Sequence, residues 1–203
     1  QPDIAHIEAS ISPRTRAIVV INPNNPSGAV YDLATLKSIV EIAEKHGLVL
    51  MADEIYDQMV YEDAEFIPLA TLVTQTVCLT YSGLSKIYRA CGYRVGWCVF
   101  SGDLERATDY IHGMELLSAL RLCSNVPGQW AVQTALGGFQ SIEPLVMPGG
   151  RLYQSRQAVI ERVAASDYLH LERPMGAMNL KTFIESAIHA VLLMNKPPGL
   201  SNE

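Results

Sequence analysis

Five polar residues of this chain could act on a single ligand. Asn25 stands in "NPNNPSG" (22–28), Asp53 and Tyr56 in "DEIYDQ" (53–58), and Lys86 and Arg94 in "TYSGLSKIYRACGYRVGW" (80–97). A lysine amine attacks a carbonyl carbon when its surroundings favour the neutral form. A carboxylate beside a ring nitrogen keeps that nitrogen protonated, because an opposite charge favours the charged form. A phenol and an amide can share hydrogen bonds with a ring oxygen, and a guanidinium can grip a phosphate through two parallel bonds. Aldehyde, ring nitrogen, ring hydroxyl and phosphate occur together in pyridoxal phosphate, whose protonated ring is an electron sink. Each residue also has a plainer role. Asn25 suits a turn, Asp53 an N-cap, Tyr56 an amphipathic wall, Lys86 a solvated surface, and Arg94 an ion pair with Glu54 or Glu115.

Convergence at one sheet edge is what favours the chemical role. Apolar runs at Ala17–Ile21, Leu48–Ala52, Val77–Tyr81 and Val95–Phe100 predict four strands, and the first three end at the Asn25, Asp53/Tyr56 and Lys86 segments. The runs are continuous, not alternating, which predicts strands covered on both faces in a largely parallel α/β sheet. Between them, Asp32 is a candidate N-cap for a helix ending near His46. Its apolar residues Leu33, Leu36, Ile39, Val40 and Ala43 follow the helical spacing, and Gly47 suits the stop. A short helix is expected within Asp3–Ile11. From Asp103 to Ala165 the pattern is helical, broken at Asn125–Gly128 and at Pro148–Gly150. In an open α/β sheet, ligands sit beyond the carboxyl ends of the strands, where these residues lie.

Composition bounds the rest. The chain has 203 residues, 49% hydrophobic and 18% charged, with a net charge of −6, an ordinary globular composition for one large domain or one plus part of another. The acidic balance argues against nucleic acid or an anionic membrane as partner. Its apolar runs, such as 187–194, are too short to span a bilayer. Cys78, Cys91, Cys98 and Cys123 show no CxxC pairing and no neighbouring His. They are expected to be reduced thiols, mostly core filler, in a cytoplasmic protein, with no metal site. The chain opens on Gln1, as a processed or partial chain would.

"NPNNPSG", "ADEIYD" and "SGLSKIYRACGYRVGW", in that order, resemble the class I aminotransferases of pyridoxal phosphate fold type I. "GMELLSALRLCSNVPGQWAVQTALGG" (113–138) and "PGGRLYQSR" (148–156) are most similar to the bacterial alanine aminotransferase (glutamate–pyruvate transaminase) group. The resemblance runs from Ile4 to Met178. It implies an α/β, three-layer, aspartate-aminotransferase-like large domain with a mostly parallel sheet, plus a partial small domain. It implies that Lys86 forms the Schiff base with the cofactor and shuttles a proton between Cα and C4′, a role worth roughly 10²–10⁴-fold. Asp53 would sit on the pyridinium nitrogen, Asn25 and Tyr56 on the 3′ oxygen with Asn25 also near the substrate carboxylate, and Arg94 on the phosphate. It further implies amino-acid and 2-oxo-acid substrates, alanine/pyruvate with glutamate/2-oxoglutarate, and a homodimer. Many relatives carry Ser three residues before the lysine. Here that position is Gly83, an option the family also uses, with Ser82 and Ser85 as nearby hydroxyls.

The family's phosphate-cradling loop, its ring-stacking aromatic and its arginine for the substrate α-carboxylate have no counterpart in the sequence, which implies truncation at both ends. The expected division is 1–147, an incomplete large cofactor domain, and 148–203, a partial small domain. Within the latter, 179–203 departs from the family pattern. There the family expects a strand, whereas Leu180, Phe183, Ile184, Ala187, Ile188, Val191 and Leu192 fall at helical spacing and predict an amphipathic helix ended by Pro197-Pro198-Gly199. Two other functions stay open. A carbon–sulfur lyase would keep the same cofactor residues, and a catalytically silent remnant would keep only a binding or dimerising role.

Overall fold

The computed structural model describes residues 1–178 and the strand Thr182–Ile184. Its centre is a four-stranded sheet in the order β1 (Ala17–Ile21), β2 (Val49–Asp53), β3 (Val77–Gly83) and β4 (Gly96–Gly102). β1, β2 and β3 are parallel; β4 runs antiparallel to β3. The reversal has a local cause. Parallel neighbours need a crossover of a dozen or more residues, usually a helix, and the β3–β4 connection holds only turns and a single 3₁₀ turn at Cys91–Tyr93.

Helix α1 (Ile4–Ala9) is capped by Asp3, which accepts from the His6 amide. Helix α2 (Leu33–His46) begins at Asp32, whose carboxylate accepts from the Thr35 amide, and ends at Gly47 in the left-handed conformation at φ 62°. Its Leu36, Ile39, Val40 and Ala43 are buried against Val20, Leu50, Ala52 and Cys78. That covers one face of the sheet. The other face carries Val77, Leu79 and Phe100, packed under Ala107 and Ile111 at the start of α3 (Thr108–Arg121). The cover on this face stops short of β1, where Val19 is 63% exposed. The expectation of strands buried on both faces therefore holds best for β3 and fails at Val19 of β1 and along β4, where no residue is buried and Val99 is 51% exposed.

The helical stretch does break ahead of this motif, between Arg121 and Val126: Asn125 accepts from the Gly128 amide and caps α4 (Val126–Gly137), whose first turn holds the rest of "NVPG". Proline in the first turn fits, because that amide would have no helical acceptor. α5 (Glu143–Val146) and α6 (Arg151–Ala164) follow, with Ile142 and Val146 buried beside Tyr56, Met59, Tyr61 and Ile87. Of the cysteines only Cys78 is buried. Cys91 and Cys123 are exposed, which corrects the expectation of core filler.

A second sheet pairs β5 (Leu169–Leu171) with β6 (Thr182–Ile184), antiparallel, with Leu169 opposite Ile184. The helix expected from Leu180 is corrected at this point. A three-residue strand is stabilised by a partner distant in sequence, which helical periodicity cannot register. The remaining residues of that expected helix lie outside the described residues. Among the described residues no helix is long and apolar enough to cross a membrane.

Candidate functional site

Register places the site. Ile21, Asp53 and Tyr81 are paired neighbours across β1, β2 and β3. Side chains alternate along a strand, so Val19 and Met51 share their face. Beyond this rung lies a cleft of about 560 Å³, lined by those five residues together with Asn25, Ile55, Tyr56, Ser82, Ser85 and Lys86. Four of the five residues singled out in the sequence are thus brought together. Asp53 and Lys86 are the charged residues of this lining.

Each is held by the chain around it. The Asn22 amide donates to the Asp53 carbonyl at 3.1 Å, and the Asn22 side chain accepts from the Tyr31 amide at 2.9 Å. Asn24 accepts from both the amide and the hydroxyl of Ser27. These two asparagines brace the loop, so the turn role that was open for Asn25 belongs to its neighbours. Among the described residues no hydrogen bond engages the Asn25 side chain, which lines the cleft. Asp53 Oδ1 accepts from the Ile55 amide at 3.2 Å, which turns the chain into Tyr56. Tyr56 is 2% exposed, and Lys86 Nζ lies 5.9 Å from its ring centroid, within reach of a cation–π contact. The Lys86 carbonyl accepts from the Arg89 amide, closing the turn that presents the amine.

Arg94 does not join them. It is exposed, takes the left-handed conformation at φ 52°, and donates from Nη1 to the Cys91 carbonyl at 2.7 Å. Neither Glu54 nor Glu115 is its partner. Glu54 is buried and accepts from the Leu69 amide at 2.8 Å, and Glu115 lies beside His112. A side chain at Gly83 is excluded, because a Cβ there would stand 2.8 Å from the Val95 carbonyl oxygen and 2.9 Å from the Gly96 Cα. Ser82 Oγ is buried, has no hydrogen-bond partner among the described residues and belongs to the cleft wall. Sequence reasoning named Ser82 only as an alternative hydroxyl and missed Tyr81. The signal for Tyr81 was its place as a polar end to an apolar strand, level with Asp53.

Two acids flank Asp53 outside the cleft lining. Burial raises the Glu54 carboxyl to about 7 against the opposing Leu69 N–H, and burial raises Asp57 to about 6. Folding therefore favours protonated Glu54. This contribution to stability is complete below the ordinary value of 4.5 and is lost as pH rises through about 7. Glu54→Gln keeps the acceptor for Leu69. It is expected to gain stability relative to the parent as pH rises across that window. Urea midpoints of both proteins below 4.5 and above 7 check this; parallel pH profiles would refute it.

The family model for aminotransferase class I and II matches residues 1–195, and the chain belongs to that family. Alanine aminotransferase of Mycobacterium tuberculosis is 51% identical over 178 residues, covering 88% of this chain and 42% of that protein. Glutamate-pyruvate aminotransferase AlaA of Escherichia coli is 50% identical over 177 residues, covering 87% and 44%. The crystal structure of an aminotransferase from Escherichia coli superimposes with a TM-score of 0.84 at 50% identity over 87% of this chain and 44% of that one. Aspartate aminotransferase from Thermus thermophilus, solved with maleate, gives 0.70 at 30% identity over 87% and 44%. The aspartate-aminotransferase-like fold expected from the sequence is thus present, with a mostly parallel sheet. The chain spans less than half the length of the curated relatives it matches.

Proposed function

We propose that this chain carries the cofactor-binding part of a pyridoxal phosphate-dependent aminotransferase. It would exchange an amino group between an amino acid and a 2-oxo acid, with alanine/pyruvate and glutamate/2-oxoglutarate as the pair. The observation that carries the reading is the meeting of Asn25, Asp53, Tyr56 and Lys86 on one cleft. The names of the Mycobacterium tuberculosis and Escherichia coli relatives support the substrate pair.

The donor set fits the cofactor. The cleft offers an amine, a carboxylate, an amide and the buried, unpartnered Ser82 hydroxyl on the wall of a space large enough for a small ring. When bound, pyridoxal phosphate supplies an aldehyde for an amine and a ring that stores an electron pair. Lys86 would hold the cofactor by its amine and, once the substrate's own amine has replaced it there, would be free to take and return the proton at the substrate Cα. Asp53 keeps a proton on the ring nitrogen. Its Oδ2 has no hydrogen bond among the described residues and is the oxygen available for this. Asn25 and Tyr56 orient the ring through its 3′ oxygen, and Asn25 also faces the substrate carboxylate. The phosphate role of Arg94 rests on the family resemblance alone, since its guanidinium lies outside the cleft lining and donates to the Cys91 carbonyl.

In this reading residues 1–147 are the cofactor domain and 148–203 part of a smaller one, in a cytoplasmic homodimer. Leu120, Leu122 and Trp130 on and between α3 and α4 are 81%, 85% and 69% exposed, an apolar surface that supports pairing of two copies. Sedimentation of the purified protein tests that, and a monomer at all concentrations would refute it.

The function is tested by adding pyridoxal phosphate with L-alanine and 2-oxoglutarate and following glutamate. Glutamate formation is expected. A carbon–sulfur lyase would instead release pyruvate from L-cystathionine, and a chain that gives no lysine-bound cofactor absorbance would be a silent one.

A further inference from the structure

Outside the cleft lining, one buried cation ties three segments together. Arg156 of α6 is 4% exposed. Its Nε donates to the Pro174 carbonyl at 2.6 Å, and Nη1 and Nη2 donate to the two carboxylate oxygens of Glu62 at 3.1 and 3.4 Å. The guanidinium lies 5.0 Å from the Tyr61 ring centroid. Arg173 donates to the same Glu62 carboxylate. Opposite charges on both sides hold Glu62 below the usual carboxylate range, with the Arg156 hydrogen bond the largest cause.

The strap anchored by this node, Pro174–Ala177, reaches the candidate site on both edges. On one side the amides of Met175 and Gly176 both donate to the Gly28 carbonyl at 2.8 Å, which closes the Asn25 loop. On the other side Tyr61 donates to the Met175 carbonyl at 2.9 Å and Ala177 to the Met59 carbonyl at 2.8 Å. Met59 in turn donates to the Tyr56 carbonyl. The fit is close. A Cβ on Gly176 would stand 2.7 Å from Pro23 Cβ and 3.0 Å from the Met59 carbonyl oxygen. Two non-glycine residues here adopt positive φ, Glu62 at 56° and Ala177 at 59°. Such positions persist only where the surroundings over-determine them.

We propose that Arg156 is a positioning residue for the site: through Glu62 and the 174–177 strap it fixes the Asn25 loop against the Tyr56 segment. It touches no cleft-lining atom in doing so. Its effect passes through backbone hydrogen bonds, so it concerns where Asn25 and Tyr56 stand and not what they are. The role rests on the reading that these two residues face pyridoxal phosphate.

Hydrogen exchange on the purified protein without cofactor, compared for the parent, Arg156→Met and Arg156→Lys, tests the placement directly. Arg156→Met is expected to speed exchange in peptides spanning 22–31 and 56–62 by roughly tenfold or more, as local opening becomes cheaper. The α2 and β2 amides should not change. Arg156→Lys keeps the charge but not the fork, so an intermediate result is expected. Titration with pyridoxal phosphate should show binding weakened by roughly tenfold in Arg156→Met, with partial rescue in Arg156→Lys. Acceleration confined to α6 and 172–178, or cofactor affinity equal to the parent's, would overturn the proposal. If Arg156→Met does not fold, Glu62→Gln keeps the bond to Pro174 and carries the same expectation at smaller size. A parent protein that binds no cofactor would defeat the functional reading alone, because the exchange experiment still decides the placement.

Discussion

Lys86→Ala is expected to abolish the absorbance that pyridoxal phosphate gains on a lysine, and to lower amino-group transfer by more than ~10²–10⁴-fold, the worth of a positioned proton-transfer group alone. The covalent anchor is lost as well, and among the described residues no other amine lines the cleft. Substitution should leave the fold intact. The backbone carbonyl that closes the turn onto Arg89 remains, and the amine's contact with the Tyr56 ring is a long one, 5.9 Å to the centroid. Absorbance spectra with added cofactor, read beside the urea midpoint, decide the matter. An alanine variant that still produces the lysine-bound spectrum would show that another residue holds the cofactor.

The second large effect belongs to Asp53→Asn. The amide keeps an acceptor for the Ile55 amide, so the chain still turns into Tyr56. What it loses is the charge. A carboxylate close to a ring nitrogen shifts its protonation by roughly 1–3 pKa units, so transfer at neutral pH is expected to fall by about 10–10³-fold. Lys86 is untouched, so the absorbance of bound cofactor should survive. That combination separates the two variants: one loses spectrum and rate, the other mainly rate. Equal single-turnover rates for Asp53→Asn and the parent would mean that Asp53 serves only as a cap.

Much of this was legible in the sequence because it is local. Asp32 and Gly47 announce α2 through capping chemistry that needs no distant partner, and the apolar strands end where the polar residues begin. Convergence of Asn25, Asp53, Tyr56 and Lys86 follows from parallel strands carrying their carboxyl ends to one edge. What was not legible depends on contacts between segments. Arg94 has the right spacing from Lys86, yet its position turns on how a short connection folds, and in the structure it bonds its own turn at Cys91. Thr182–Ile184 reads as helix by period and forms a strand because Leu169–Leu171 is there to pair with it. Arg156 gives no hint of its node, since Glu62 and Pro174 lie on different segments.

The shared rung of Ile21, Asp53 and Tyr81 has a consequence for how this chain can change length over generations. Lengthening the surface connection around α2 adds little loop-closure cost and leaves the rung as it is. A single residue gained or lost inside β2 would turn Asp53 to the opposite face, among Val20 and Leu50, and bring a hydrophobic neighbour to the cleft. The site is therefore written in the phase of its strands, and indels are tolerable in the crossovers but not in the β2 strand that carries the carboxylate.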